Sequence, residues 1–509
     1  MLETSFKSAI TLTLCTIICS AYAGYIEAGV SISHNKMLIK GQKVATKQGQ
    51  VAQFSGIRFA TSERWQAPKI EALQGEIDAT EFAAICPQLN GNTTWYEQVA
   101  AAFGQPASVI PDRPVADEDC LFLNIWTPQP NKSAALPVMV WIHGGSNKNG
   151  YSYEPNYLGH QLAAQGVVVV SIAYRLGVFG FLAHPEFTLP GSGNYGLLDQ
   201  IAALSWIQTN ISLFGGDPDN ITLFGESAGA ADIGYLSAAP AAQTLFHRAI
   251  SQSGGWQVRR AAPIQTQSVL GKHFADAHSG LAELYAMTTQ KLTEAAAQHF
   301  TNHYWDPVVD GQTLPQALPI LFENEAVARR PLLIGFNTDE GLMYQPDEVT
   351  EAIWWTWLNS NYPQRANQIE SELAGQPLRA RLNAVSTAGN YACPSRIWAD
   401  YNAAGSSSYM YEFATARSQD HGLGAYHGAE IPYIFDTHDN WLPTTPWDIE
   451  LTDSMTQYWV NFAKSGNPNG PSLPHWPNYS AEKPAVLKLS VRPAPVVWED
   501  NICDLLGRR

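Results

Sequence analysis

The stretch Ile221–Ala230, ITLFGESAGA, places one serine between two glycines where two sequence patterns meet. The residues before the glycines are typical of a strand, and the small residues after them are typical of the start of a helix. Gly225 and Gly229 leave room for strand and helix to pass close together, while Ser227 takes a strained turn that exposes its hydroxyl. An ordinary strand-to-helix turn is the alternative, because the short pattern also arises by chance.

Apolar runs and helical repeats alternate on both sides of this turn. Leu136–Gly145 and Gly166–Gly177 are β-rich runs, and the second is uninterrupted, as expected of a strand buried on both faces. Between them and Ser227, Leu197, Ile201, Leu204 and Ile207 recur at helical spacing. Further strands are predicted within Arg330–Gly341 and Ser408–Ala414. The order predicts an α/β fold with a mostly parallel sheet covered by helices.

Two stretches rich in Ala, Leu, Gln and Glu interrupt the alternation, at Val258–Phe322 and Ile353–Ile397. No linker rich in Pro, Gly or Ser separates them from the rest of the chain. We therefore expect helical insertions over one sheet, and not a second domain.

Composition limits the classes of partner. The 509 residues, 45% hydrophobic and 15% charged, suit a folded globular enzyme. The net charge of −16 argues against a nucleic-acid partner, because phosphate binding needs a basic surface. It also disfavours anionic membrane surfaces.

The N-terminus has the pattern of a secretory leader. Lys7 precedes an apolar run, and Ala21–Ala23 forms an A-x-A cleavage site before Gly24. The apolar run is too short to span a bilayer. We expect a leader at residues 1–23, a mature domain at 24–509, and export to the periplasm or the extracellular space without a stable membrane anchor.

Cysteine usage agrees with export. Removal of the leader deletes Cys15 and Cys19, and an even number of cysteines remains in the mature chain, which favours disulfides. The residues that remain are Cys86, Cys120, Cys393 and Cys503. Arithmetic alone allows three pairings. None of the spacings has the short C-x-x-C form of a zinc site, and no metal is expected.

Three further strand-end turns supply partners for Ser227. Gly144 and Gly145 follow a strand and can direct backbone N–H groups into a cavity, as an oxyanion loop does. The turn Asn337–Gly341, NTDEG, ends in two carboxylates, and His427 lies in a turn before an apolar segment. A histidine is the expected base at neutral pH. Among 13 histidines, His427 satisfies the α/β-hydrolase chain order of serine, acid and histidine.

Motifs along almost the whole chain resemble the type-B carboxylesterase family, the cholinesterase-like branch of the α/β-hydrolases, and especially its bacterial para-nitrobenzyl esterase members. They include EDCLFLNIW, WIHGGSNKNG, FGGDPDNITLFGESAGA, NTDEG, YHGAEIPYIF and WVNFAKSGNPNG. The resemblance implies an α/β-hydrolase fold and hydrolysis of small carboxylic esters without a metal or organic cofactor.

The resemblance also implies roles for individual residues. Ser227 corresponds to the nucleophile, Glu340 to the acid and His427 to the base. Asp339 is the competing acid, but the motif places the catalytic carboxylate immediately before the glycine. The implied oxyanion donors are the backbone N–H groups of Gly145, Ser146 and Ala228. The implied disulfides are Cys86–Cys120 and Cys393–Cys503.

Four more residues are assigned to the substrate pocket. Met343 and Tyr344 follow the acid and are expected to line the wall of the gorge by the resemblance. Glu226 is expected to support the His427 imidazolium by its charge. Asn147 belongs to the oxyanion loop and is expected to make the acyl side of the pocket more polar.

The oxyanion loop and a second position depart from the family pattern. Ser146 stands where a third glycine is usual, and Asn147 and Lys148 stand where aromatic residues are frequent. The Ser146 backbone can still donate, and its side chain either makes the pocket polar or packs against the loop.

Ile110 stands where cholinesterases carry a tryptophan that binds choline. Choline esters are therefore disfavoured, because an aromatic cage binds a quaternary ammonium group well.

Two other functions remain open from the sequence. A non-catalytic binding or adhesion protein could use the same scaffold, although such relatives lose part of the triad and Ser227, Glu340 and His427 are all present. An amidase or peptidase would use the same three residues.

Overall fold

The computed structural model describes residues 27–187, 190–256, 261–498 and 501–507. The leader expected at residues 1–23 lies outside these ranges. A 13-stranded sheet runs through the molecule, and a separate pair of short strands lies beside it. The strands are β1 (Glu27–His34), β2 (Met37–Thr46), β3 (Gly49–Arg58), β4 (Ala60–Thr61), β5 (Lys69–Ile70), β6 (Glu76–Asp78), β7 (Phe122–Thr127), β8 (Leu136–Ile142), β9 (Val168–Ile172), β10 (Gly216–Glu226), β11 (Arg248–Gln252), β12 (Leu332–Asn337), β13 (Ser408–Phe413), β14 (Ala485–Leu489) and β15 (Ala494–Val497).

The sheet is parallel in its centre and antiparallel at both edges. Its order is β1-β2-β3-β7-β9-β8-β10-β11-β12-β13-β14-β15, with β6 beside β2. All pairs from β9 to β14 are parallel. At one edge β1, β2, β3 and β7 pair antiparallel, with the short β6 parallel to β2, and at the other edge β15 is antiparallel to β14. The mostly parallel α/β-hydrolase sheet predicted from the sequence is confirmed. The carboxyl ends of β8, β10 and β12 therefore open on the same side of the molecule, where sites form in such sheets.

Helices cover both faces of this sheet. Within the described ranges they are α1 (Gly91–Ala102), α2 (His160–Ala163), α3 (Gly177–Phe181), α4 (Tyr195–Asn210), α5 (Ala228–Ala238), α6 (Ile264–Ala277), α7 (Leu281–Ala286), α8 (Thr289–His299), α9 (Leu318–Glu323), α10 (Glu351–Asn361), α11 (Ala366–Glu372), α12 (Leu378–Thr387), α13 (Cys393–Ala403), α14 (Ile431–Phe435), α15 (Pro446–Ser465) and α16 (Asn501–Leu505). Each of these helices is too short or too polar to cross a bilayer.

The core lies on both sides of the central strands. In β8, Val138, Val140 and Ile142 pack into one hydrophobic cluster, while Met139 and Trp141 pack into another on the opposite face. All five side chains are fully buried. Successive strand residues point to opposite faces, so a strand covered on both sides needs an uninterrupted apolar run.

The expected helical insertions are present. Helices α6 to α9 fill the first stretch and α10 to α13 the second, which in the structure extend to Glu323 and over Glu351–Ala403. Residues 388–392 between α12 and α13 form one turn of π-helix. The second insertion has a small hydrophobic cluster of its own, which contains Trp354 and Leu358 of α10.

Two disulfides join the chain as the resemblance implies. Cys86 bonds to Cys120 over 34 residues, and Cys393 at the start of α13 bonds to Cys503 in α16 over 110 residues. All four cysteines are buried. Peptide mapping of the native protein without reductant is expected to recover both linked pairs, and a labelled free thiol on any of the four would contradict this pairing.

Candidate active site

Ser227 occupies a sharp turn between β10 and α5. Its backbone has φ 56° and ψ −125°, a conformation that L-residues rarely adopt. A Cβ atom at Gly229 would lie 2.0 Å from the carbonyl oxygen of Ile142, and one at Gly225 would lie 2.6 Å from the same atom. Only glycine fits at either position, since β8 passes directly beside the turn. The strained turn expected from the sequence is therefore present, and Ser227 lies at the carboxyl end of the central strand.

His427 and Glu340 form a continuous chain of hydrogen bonds with Ser227. The Nε2 atom of His427 lies 2.8 Å from Ser227 Oγ, and its Nδ1 atom lies 2.5 Å from Glu340 Oε2. The other carboxylate oxygen of Glu340 accepts the backbone N–H of Asn337 at 2.8 Å, which fixes the carboxylate. All three side chains are buried. The arrangement suits proton transfer from a serine hydroxyl to an imidazole whose tautomer is set by a carboxylate.

Asp339 is adjacent to Glu340 but faces another way. Its Oδ2 atom accepts the backbone N–H of Ala425 at 2.9 Å, and its Oδ1 atom accepts the amide of Asn383 at 2.9 Å. Asp339 therefore holds the loop that carries His427, while its neighbour contacts the imidazole.

The backbone N–H groups of Gly145, Ser146 and Ala228 are available for a ligand. Gly145 and Ser146 lie in the loop after β8, and Ala228 is the first residue of α5. Within the described part of the chain, none of the three N–H groups donates to another protein group. Gly145 has φ 99°, and a Cβ atom there would lie 2.2 Å from the carbonyl oxygen of Asn149, so only glycine fits. Free donors beside a candidate nucleophile are the requirement for an oxyanion hole.

A cavity of about 300 Å³ opens onto Ser227, His427 and the oxyanion loop. This volume lies at the lower end of the range for small-molecule sites. Tyr344, 59% exposed, and Lys148 stand on its wall, as does Ser146, whose side chain is exposed. Glu226 lines it close to the nucleophile.

Two of the residues assigned to the pocket do not line this cavity. The amide of Asn147 is buried and bonds to Asp232 and Tyr174. Met343 is buried, and its sulfur accepts the indole N–H of Trp95 at 3.3 Å. Met343 therefore acts on the cavity through Trp95, which lies on the wall.

Several cavity residues lie outside the catalytic motifs and were not predicted, and a buried group of three among them carries polar atoms. Tyr96, Glu154 and Tyr157 line the cavity and are buried. The Glu154 carboxylate accepts the Tyr96 hydroxyl at 3.0 Å and the Tyr151 backbone N–H at 3.0 Å. Glu154 and Tyr157 belong to the segment YSYEPNY, which follows the oxyanion loop and combines tyrosines with one carboxylate, whereas nothing in the sequence around Tyr96 marks it.

The family model described as "Carboxylesterase family" matches residues 30–501. The chain belongs to the carboxylesterase family. It is 33% identical over 469 residues to the para-nitrobenzyl esterase of Bacillus subtilis (strain 168), which covers 87% of this chain and 92% of that protein. It is 31% identical over 540 residues to the acetylcholinesterase of Bungarus fasciatus, and the match covers 95% of this chain and 86% of that protein. A solved structure of PNB esterase superposes with a TM-score of 0.81 at 29% identity, covering 94% of this chain and 99% of that one. The protein is therefore a carboxylic ester hydrolase.

In this carboxylesterase, Glu226 sets the electrostatics of the candidate base. Its Oε1 atom lies 3.1 Å from His427 Nε2. Burial opposes the charge on the imidazolium, but Glu226 and Glu340 outweigh it and raise the pKa of His427 to about 9. Burial also raises the pKa of Glu226 to about 8, against the lowering effect of His427. Glu226 therefore stabilises the imidazolium form of His427.

Replacement of Glu226 by glutamine is expected to move the acid limb of the pH–rate profile to lower pH. A base works only when it is neutral, so kcat/KM falls as pH drops through the pKa of His427. Removing one negative charge at contact distance lowers that pKa, by about 1 unit or more. The measurement is kcat/KM against pH for the wild type and Glu226→Gln.

Glu412→Gln is the matched control for this experiment. Glu412 is a partly buried carboxylate of β13 that accepts the Thr338 hydroxyl and does not contact His427. The pH–rate profile of Glu412→Gln should coincide with that of the wild type. An unshifted acid limb in Glu226→Gln would show that Glu226 does not control the base.

Ser146→Gly tests whether the loop donates through its backbone. Ser146 has φ 57°, so glycine adopts this conformation at less cost, and the backbone N–H remains. We expect kcat on an acetyl ester to change less than about tenfold, whereas loss of a true oxyanion donor costs about a hundredfold to a thousandfold. A hundredfold loss would assign the donor role to the hydroxyl. A shift of preference toward apolar acyl groups would show that the exposed side chain contributes to specificity.

Proposed function

We propose that this carboxylesterase hydrolyses small carboxylic esters through a Ser227–His427–Glu340 triad and an acyl-enzyme intermediate. The observation that carries the proposal is the hydrogen-bond chain of 2.8 and 2.5 Å that ends at Ser227 Oγ, which lines the cavity. Neither the serine nor the imidazole needs to move to exchange a proton.

The reaction has two halves. In the first, Ser227 Oγ attacks the ester carbonyl carbon while His427 Nε2 takes the hydroxyl proton. The carbonyl oxygen becomes an oxyanion that accepts from the N–H groups of Gly145, Ser146 and Ala228. Collapse of this intermediate breaks the bond to the alcohol, which leaves with the proton from His427. In the second half, His427 deprotonates water, which attacks the acyl carbon, and the acid is released with Ser227 restored.

Glu340 and Glu226 assist by charge. Glu340 accepts from Nδ1 and so keeps Nε2 free to take the serine proton. Glu226 lies beside Nε2 and stabilises the imidazolium that forms in each half. Both carboxylates are buried, where such interactions are stronger than in water.

Export belongs to the same proposal. The leader pattern at residues 1–23 directs the chain out of the cytoplasm, and the mature domain begins at residue 24. Two buried disulfides support an oxidising compartment, the periplasm or the extracellular space. N-terminal sequencing of the native protein is expected to begin at Gly24, and a mature chain that begins at Met1 would contradict export by this leader.

Labelling with a fluorophosphonate, followed by peptide mapping, tests the nucleophile. The reagent should modify Ser227, and the loss of ester hydrolysis should be proportional to the fraction of Ser227 that is labelled. Ser253 is an internal control, because it is also buried and also has φ 56°, but its side chain bonds to no other group in the described ranges. Modification of Ser253, or full labelling with activity retained, would reject the proposed nucleophile.

A further inference from the structure

We propose that Asn147 and Asp232 are positioning residues that hold the oxyanion loop against the nucleophile helix. The hydrogen bond between their side chains is called here the Asn147–Asp232 link. It would keep the two donors on the loop, Gly145 and Ser146, in register with the third donor, Ala228 on α5. The inference rests on the proposed function, since it concerns how the proposed oxyanion hole is kept in shape.

Asn147 is fixed at both ends of its side chain. Its Nδ2 atom donates to Asp232 Oδ1 at 3.2 Å, and its Oδ1 atom accepts the Tyr174 hydroxyl at 3.2 Å. Its backbone carbonyl accepts the N–H of Gly177 at 2.6 Å. The side chain is 1% exposed. The residue next to a proposed donor is therefore held by three hydrogen bonds, one with α5 and two with residues 174–177, which lead from β9 into α3.

Asp232 joins this loop to two helices. It lies in α5, one turn beyond Ala228, and its Oδ2 atom accepts Gln200 Nε2 of α4 at 2.5 Å. Asp232 and Ala228 are one turn apart in the same helix, so a contact that fixes Asp232 also fixes the position of the third donor. The link thus connects the loop half and the helix half of the proposed hole.

The loop needs such support because its backbone is strained. Ser146 and Asn147 have φ 57° and 56°, and both are L-residues in the left-handed region. Asparagine tolerates this region better than most residues. Two successive residues other than glycine in this conformation persist only where the surrounding structure holds them. Gly145 before them also has positive φ. Without the link, the loop is free to relax and to withdraw its N–H groups from the cavity.

Asp232 is a costly residue for a purely structural role. It is fully buried, and burial raises its pKa to about 7, although hydrogen bonds from Gln200 and Asn147 lower it. An apolar side chain of similar size would avoid this desolvation. A carboxylate at this fully buried position fits a role in aligning the N–H donors of the proposed oxyanion hole.

Steady-state kinetics of four variants on p-nitrophenyl acetate test the link, together with inhibition by a trifluoromethyl ketone, whose adduct places an oxyanion in the hole. Asn147→Gly keeps the left-handed backbone and removes only the side chain, and Asp232→Ala removes the partner. Both should lower kcat by about tenfold to a hundredfold with KM changed less than about threefold. The inhibitor should weaken by the same factor as kcat/KM.

Two variants serve as rescue and control. Asp232→Asn keeps an oxygen for Asn147, and its amide can donate to Gln200 Oε1, which has no partner in the described ranges, after a flip of the Gln200 amide. It should retain kcat within about threefold. Ser237→Ala removes a buried hydrogen bond from the same helix, the one to the Ile233 carbonyl, and should leave kcat and inhibitor affinity unchanged.

Three results would overturn the proposal. They are a folded Asn147→Gly with wild-type kcat, a loss of kcat without a matching loss of inhibitor affinity, and an Asp232→Asn as impaired as Asp232→Ala. If Asp232→Ala does not fold, Asn147→Gly decides the matter alone. Ser227→Ala separates the two proposals: its inactivity beside a fully active Asn147→Gly rejects only the link, whereas its activity rejects the proposed nucleophile.

Discussion

Ser227→Ala is expected to lower kcat on a neutral ester by about 10⁵ to 10⁶-fold. The members of the proposed triad act together, so without the Ser227 hydroxyl His427 and Glu340 have no nucleophile to activate. Binding and the proposed oxyanion donors remain, and KM should change little. Steady-state kinetics, with active-site titration to exclude contaminating wild type, measure the effect. A variant within tenfold of the wild type would place the nucleophile elsewhere.

The same position offers a comparison that separates chemistry from folding. Alanine keeps the Cβ atom and therefore the strain of the turn, so the Tm of Ser227→Ala should stay close to that of the wild type. Ser227→Gly removes the Cβ atom at φ 56° and ψ −125° and should stabilise the fold by about 1 kcal/mol or more. Both variants should be inactive. A more stable and inactive Ser227→Gly would show that the strain at this turn is retained for function.

The sequence predicted the central sheet well because its strands are buried on both faces and are therefore apolar throughout. The run Gly166–Gly177 contains β9, Val168–Ile172, which is buried on both faces, and such strands must be apolar throughout. The antiparallel edge formed by β1 to β3 was not predicted. In β2 the second half alternates between half-buried and exposed residues, so its signal is weak.

Most residues of the candidate site could be proposed from the sequence because they follow a strand in a short motif. His427 lies in the loop between β13 and α14, and it was proposed from chain order and from the resemblance. Ser227, Glu340 and the oxyanion glycines lie at the ends of β10, β12 and β8, which the topology brings to one edge. Side-chain direction was not predictable. Asn147 was assigned to the pocket, yet its left-handed backbone turns the side chain inward to Asp232, a residue of α5 that no motif marks.

Glu340→Gln is expected to lower kcat by about 10³ to 10⁴-fold. The two oxygens of Glu340 accept from His427 Nδ1 and from the Asn337 N–H. A glutamine offers only one acceptor, so either its amide faces Nδ1 and enforces the wrong tautomer, or it meets the Asn337 N–H and the side chain is displaced. In both cases Nε2 loses its ability to take the serine proton. The measurement is kcat on a neutral ester in a variant shown to be folded by its Tm.

Asp339→Asn is the matched control, since it makes the same chemical change one residue earlier. Asp339 also accepts two hydrogen bonds, from the Ala425 N–H and from Asn383, and the Asn383 amide cannot flip without losing the Gly341 N–H. This variant should therefore lose stability, by about 1 to 3 kcal/mol. Its kcat should stay within about tenfold of the wild type, because Asp339 holds the loop and does not contact the imidazole. If Asp339→Asn abolished turnover and Glu340→Gln did not, the carboxylate that orients His427 would be Asp339, and the hydrogen bond between Glu340 and Nδ1 would be dispensable for catalysis.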